Sequence, residues 1–131
     1  MARSGLAAWC SIVLAASLFA TPLQADPVPA AARAEIGALL SKLAASECRF
    51  KRNGSWHTSI EARDHLQRKF DYLAEKGAVN SAEQFIERAA TRSSLSGQAY
   101  KVQCGNHAAV PSGAWLTSLL RTLRTQRDVA R

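Results

Sequence analysis

The sequence is poor in the features that announce a function. Its 131 residues contain no Cys-x-x-Cys, no Gly-x-Ser-x-Gly elbow and no closely spaced histidine pair. Those absences exclude a zinc ribbon, a thioredoxin-like redox motif, the nucleophile turn of α/β-hydrolases and a zincin helix. No block of like charge marks a tail that grips nucleic acid, and no nucleic-acid-binding motif is present. No apolar run approaches the roughly 20 residues that a membrane-crossing helix needs. Aromatics make up only 7% of the chain, cysteine occurs three times, and the single methionine is Met1. Internal repeats and low-complexity segments are missing as well.

What is present begins with an address. Arg3 is followed by an apolar run from Leu6 to Ala20, then Thr21, Pro22 and small residues up to Ala25, with no acid before Asp26. A charged start, a short apolar core and a small-residue exit is the layout of a cleavable secretory signal. The run is short for an uncleaved anchor. Cleavage is expected after Ala25, with Ala20 as the alternative; Cys10, behind bulky Trp9 and inside the apolar run, does not fit a lipid-attachment site. Residues 1–25 are therefore read as a signal peptide and residues 26–131 as one exported domain, periplasmic or secreted. Losing Arg3 lowers the formal charge from +7 to +6. A basic balance suits acidic partners, although the charges are dispersed and mixed in sign, as on an ordinary soluble surface.

Cys48 and Cys104 are the only cysteines left after the leader. In an oxidising compartment a lone pair reads as a disulfide. Closing a loop of about 57 residues stabilises by on the order of 4 kcal/mol.

Periodicity sketches the domain. Asp26 to Pro29 reads as an unstructured lead-in. Ile36, Leu39, Leu40 and Leu43 predict an amphipathic helix over Ala30–Ser46. Asn53–Gly54, between Phe50 and Trp56, predicts a tight hairpin with strands at 49–52 and 55–57. Thr58 and Glu61 have capping-box spacing and open a helix to about Lys76, with Ala62, Leu66, Phe70 and Leu73 buried and Gly77 as its left-handed stop. Asn80 and Ser81 cap a third helix reaching about Arg92. Ser93 to Gly97 is a loop. Tyr100, Val102 and Cys104 alternate with polar neighbours, which predicts a strand lying against the hairpin if the cysteines bond. Gly105 to Ala109 is a loop, and Pro111–Ser112 starts a last helix with Trp115, Leu116, Leu119, Leu120 and Leu123 inward. Trp56 and Trp115 are both assigned to the core. The fold class is α+β: about four helices with a small three-stranded antiparallel sheet and one disulfide.

An ordered series of short segments carries a family resemblance. Phe50-Lys-Arg-Asn-Gly54, Glu61-Ala-Arg-Asp-His-Leu66 with Lys69, Ala82-Glu-Gln-Phe-Ile86, Ser93-Ser-Leu-Ser-Gly97, and Tyr100 with Val102 resemble the YfeK-like family of bacterial proteins, a domain of unknown function (DUF5329). The resemblance covers about Ile36 to Val102. It implies a small exported bacterial protein without an established activity. It does not require the cysteine pair, so the disulfide rests on compartment and spacing.

The candidate site residues are Arg52 and His57, which bracket the hairpin turn, His65 and Lys69, which share a helical face, and Ser94 and Ser96 in the serine loop. Together they can supply cations for an anion, an imidazole and a hydroxyl. Their bland roles are turn formation, helix capping and side-chain bonds to the loop backbone. His57, His65 and His107 are too scattered for a metal, and no cofactor is expected. Arg121, Arg124 and Arg127 on the last helix, followed by Arg131, read either as a solvated stripe favoured by the helix dipole or as a weak electrostatic contact with a membrane surface. The resulting expectation is a non-enzymatic interaction or accessory protein of the bacterial envelope, bound to a protein or an acidic envelope component and not to nucleic acid. The alternative is a small hydrolase using His65 and a serine of residues 93–96.

Overall fold

The computed structural model describes residues 5, 12, 14–21 and 27–131. The charged start of the leader, Cys10 and the expected cleavage position at Ala25 lie outside the described residues. Leu14, Leu18 and Phe19 are exposed. No helix among the described residues is long and apolar enough to cross a membrane.

The domain starts earlier than Ala30: Val28, in the predicted lead-in, is buried in the core. The first helix, α1 (Ala30–Ala45), buries Ile36, Leu39, Leu40 and Leu43, the stripe its periodicity predicts. The hairpin follows as β1 (Arg49–Arg52) and β2 (Ser55–His57). Asn53 and Gly54 take φ of 48° and 81°, the paired left-handed conformations of a type I′ turn. Helix α2 (Ser59–Glu75) opens on a complete capping box. The Glu61 N–H donates to the Thr58 hydroxyl at 3.2 Å, and the Thr58 N–H donates to the Glu61 carboxylate at 2.8 Å. Gly77, at φ 65°, releases the chain from α2.

Helix α3 (Ala82–Ala89) is capped by the Ser81 hydroxyl, and the Gln84 side chain reaches back to the Asn80 N–H. It ends three residues before the expected Arg92. The cause is local pairing: Arg92 bridges Ala99, and the Tyr100 N–H donates to the Thr91 carbonyl at 2.9 Å. The remaining elements are β3 (Lys101–Gln103), β4 (Val110–Pro111) and α4 (Ser112–Val129).

The sheet has four antiparallel strands, in the order β2-β1-β3-β4, where three were expected. The addition is β4, a two-residue edge strand. Two residues show no alternation to read, and Pro111 reads naturally as a helix start. Its missing N–H is tolerated because it sits on an edge. One step beyond the Arg49–Gln103 pair, Cys48 and Cys104 form the expected disulfide, with Cα atoms 4.3 Å apart.

Helices α2 and α4 lie against one face of the sheet, and α1 packs on α2, α3 and α4. Phe70 meets Phe85 edge-on at 5.8 Å, and Trp115, half-buried, meets Phe50 at 5.7 Å. Trp56 departs from its expected place in the core. It is 38% exposed on the opposite face of the sheet, because it pairs with Lys51 and therefore points away from the inward Phe50. The arginine stripe of α4 is partly tied down. Arg124 forks onto Glu35 of α1 at 2.8 and 2.9 Å and reaches Glu83 of α3 at 2.5 Å, while Arg127 also meets Glu35. Arg121 makes no ion pair among the described residues.

Candidate functional site

Strand alternation sorts the cations of β1 onto two faces. Phe50 and Arg52 point toward the helices, whereas Arg49 and Lys51 point away. On the inner side, Arg52 meets α2, where His65 and Lys69 stand one turn apart. The residue that joins them is Tyr100, just before β3 and on the same side of the chain as buried Val102.

The contacts form a chain. The Arg52 guanidinium donates to His65 Nδ1 at 2.8 Å. His65 Nε2 lies 3.2 Å from the Tyr100 hydroxyl, and Lys69 Nζ donates to the same hydroxyl at 3.2 Å. Lys69 also donates to the Arg92 carbonyl at 3.2 Å. The Lys69 ammonium lies 5.1 Å from the centre of the Tyr100 ring, within cation–π range. A pocket of about 30 Å³ opens beside the chain, lined by Lys51, Arg52, His57, Glu61, His65 and Tyr100 among others.

Burial and like charge set the protonation states. His65 is pushed down to about 4, first by burial and then by Arg52 and Lys69, so its ring is neutral near pH 7. Burial lowers Lys69, with Arg52 adding to the effect. Burial raises Tyr100 and keeps its phenol protonated. Glu61 is held below its ordinary value, chiefly by the hydrogen bond from the Thr58 N–H.

Of the six residues expected at the site, the structure joins Arg52, His65 and Lys69. His57 lines the same pocket, with its Nδ1 3.8 Å from Glu61. The two serines stand apart. Ser94 is exposed and makes no side-chain hydrogen bond among the described residues. The Ser96 hydroxyl donates to Asn53 at 2.6 Å and accepts from the Gln98 N–H, fastening the loop to the hairpin turn. Ser93, buried, accepts from the N–H groups of Leu95 and Ser96. Among the described residues, no three His, Cys, Asp or Glu side chains converge as a metal site would require.

The outer face of the sheet was missed at the level of sequence. It carries Arg49, Lys51, Lys101, Gln103 and Trp56. Arg49 and Lys51 lie 5.1 and 5.7 Å from the Trp56 ring centre, and Arg49 donates to Gln103 at 2.8 Å. Lys51 stands directly opposite Lys101. The signal was available in the alternation of Arg49-Phe50-Lys51-Arg52 and Lys101-Val102-Gln103, which turns Phe50 and Val102 inward and Arg49, Lys51 and Lys101 outward. Tyr100 was read only as a buried strand position, because its hydroxyl partners lie 31 and 35 residues away.

A model of a family of unknown function, DUF5329, matches residues 30–124. The chain belongs to that family. The match spans every residue of the inner cluster and of the outer face. The uncharacterized protein YfeK of Salmonella typhimurium is 37% identical over 92 residues, which cover 70% of this chain and 72% of YfeK. No solved structure matches the chain. Membership thus brings no activity with it, and the chemistry has to be read from the residues.

Proposed function

We propose that this DUF5329 domain is an exported, non-enzymatic accessory protein of the bacterial cell envelope that binds an acidic envelope component across the open face of its sheet. The observation that carries the reading is the placement of Lys51 opposite Lys101, with Arg49 beside them and no acid in either strand. Like charges directly across a strand pair destabilise a sheet, and an anionic partner removes that cost. Trp56, 38% exposed, adds a flat, half-open aromatic surface beside Arg49 and Lys51.

Two further features support the address. The first 25 residues have the layout of a secretory signal, and the Cys48–Cys104 bond suits an oxidising compartment. Binding is favoured over catalysis by the hydroxyls: Ser93 and Ser96 hold backbone and Asn53, while the ring nitrogens of His65 face Arg52 and Tyr100.

The test is capture from an envelope extract of the native host, using the wild-type protein and the Lys51→Glu/Lys101→Glu double variant as baits. The reading predicts an acidic component retained by the wild type, lost by the double variant and released by high salt. Equal retention by both baits contradicts it, as does native protein that keeps its leader and two free thiols.

A further inference from the structure

The inner cluster differs from the outer face in one chemical respect: every hydrogen-bonding valence it leaves over is a donor. A guanidinium cannot accept a hydrogen bond, and Arg52 lies nearer His65 Nδ1 (2.8 Å) than Nε2 (3.5 Å), so the lone pair is assigned to Nδ1. The proton of the neutral ring then sits on Nε2 and points at the Tyr100 oxygen. Lys69 donates to that oxygen too. The two lone pairs of the phenol are therefore used, and its own proton has no acceptor among the described residues. The Arg52 guanidinium has donors left beyond the one His65 takes. Lys69 spends one proton on Tyr100 and another on the Arg92 carbonyl, and keeps a third.

Neither cation has a carboxylate partner among the described residues. The nearest acid on the pocket wall, Glu61, is engaged by the Thr58 N–H at 2.8 Å and faces His57 at 3.8 Å. Half-buried cations and unfilled donors are costly in the absence of an acceptor. The adjoining pocket, about 30 Å³, holds about two waters at roughly 10–15 Å³ each. That is the scale of one small ion.

We propose that this pocket binds a doubly charged tetrahedral oxyanion, phosphate or the phosphomonoester end of a larger molecule, through Arg52 and Tyr100 on its wall, with Lys69, hydrogen-bonded to the Tyr100 hydroxyl behind that wall, supplying a second positive charge. A carboxylate brings one charge and two acceptors. A phosphate group brings close to two charges and at least three acceptor oxygens, which suits the several donors of Arg52, the Tyr100 hydroxyl and the nearby charge of Lys69. Lys51 of the outer face also lines this pocket, whereas Lys101 does not, so Lys101 is the outer-face cation that separates the two surfaces.

Calorimetric titration at constant ionic strength and pH 7 tests the site, with inorganic phosphate, glycerol 1-phosphate and acetate as the three probes. Saturable binding of at least one phosphate probe is expected, with acetate weaker by about tenfold or more. Phosphate stronger than the ester identifies a free ion, and the reverse identifies a phosphorylated end group; both support the site. Arg52→Gln should weaken binding by about tenfold or more and Tyr100→Phe by about three- to tenfold. Lys101→Glu, outside the pocket lining, should leave it unchanged. Should Arg52→Gln fail to fold, Tyr100→Phe and Lys69→Gln carry the same test. The proposal is overturned by no saturable heat with either phosphate probe, by acetate binding equally well, or by binding that Tyr100→Phe and Lys69→Gln leave intact.

Discussion

Two arginines organise polar clusters in this domain, and the difference between them is the acid. Arg124 draws Glu35 from α1 and Glu83 from α3 onto α4, so three helices meet around a compensated charge. Arg52 draws together an imidazole, a phenol and a second cation, with no carboxylate. The first cluster is complete within the fold and acts as a tie. The second is incomplete and acts as a receptor. Charge balance, and not cation number or burial, separates the structural cluster from the functional one. It also shifts two acids in the expected direction: Glu35 and Glu83 are both held below their ordinary values, chiefly by hydrogen bonds from Arg124.

The harshest way to break the comparison is to open the frame that positions both clusters. Cys48→Ser/Cys104→Ser should cost on the order of 4 kcal/mol in chemical denaturation, and it frees the end of β1 opposite Arg52. Next in size is Arg124→Met. It leaves Glu35, whose side chain is only 15% exposed, with Arg127 alone. A loss of about 2 kcal/mol is expected, below the figure for a buried pair because Arg124 is partly open to solvent.

Acid should separate the clusters by pH window. The unfolded chain protonates His65 near pH 6.5, whereas the folded chain resists until about 4. Between those values the unfolded state binds more protons, so stability falls as pH falls through that window and is fully kept above it. Glu35 and Glu83 are depressed carboxylates, and their contribution is lost only below the ordinary carboxylate range near 4.5. Denaturation midpoints measured from pH 7 to pH 3 should show both steps. His65→Phe should flatten the upper one and Arg124→Met the lower. The smallest effect sharpens the comparison most. Arg52→Met or Lys69→Met should change stability by less than about 1 kcal/mol while weakening phosphate binding, by about tenfold or more for Arg52→Met, the reverse of what Arg124→Met does.

The elements that were legible in the sequence are those with local chemistry. The stripe of α1, the Asn53–Gly54 turn and the Thr58–Glu61 box each depend on residues within a few positions of one another. The pairing of β1 with β3 was legible through the cysteines. Strand β4 was not, since two residues carry no period. Trp56 was misplaced because hydrophobicity alone does not say which face of a hairpin is covered. For the site, Arg52, His65 and Lys69 were named from spacing, yet Tyr100, which joins them, was hidden in an apolar alternation. The Glu35–Arg124 tie spans 89 residues and leaves no local trace.

The most direct measurement is an NMR titration of the His65 ring, with and without inorganic phosphate. The account predicts a neutral ring protonated on Nε2, titrating near 4 in the free protein, with its pKa moved upward when a phosphate dianion occupies the pocket. A ring that titrates near 6.5 and ignores phosphate contradicts the claim that Arg52 heads an unfilled anion site.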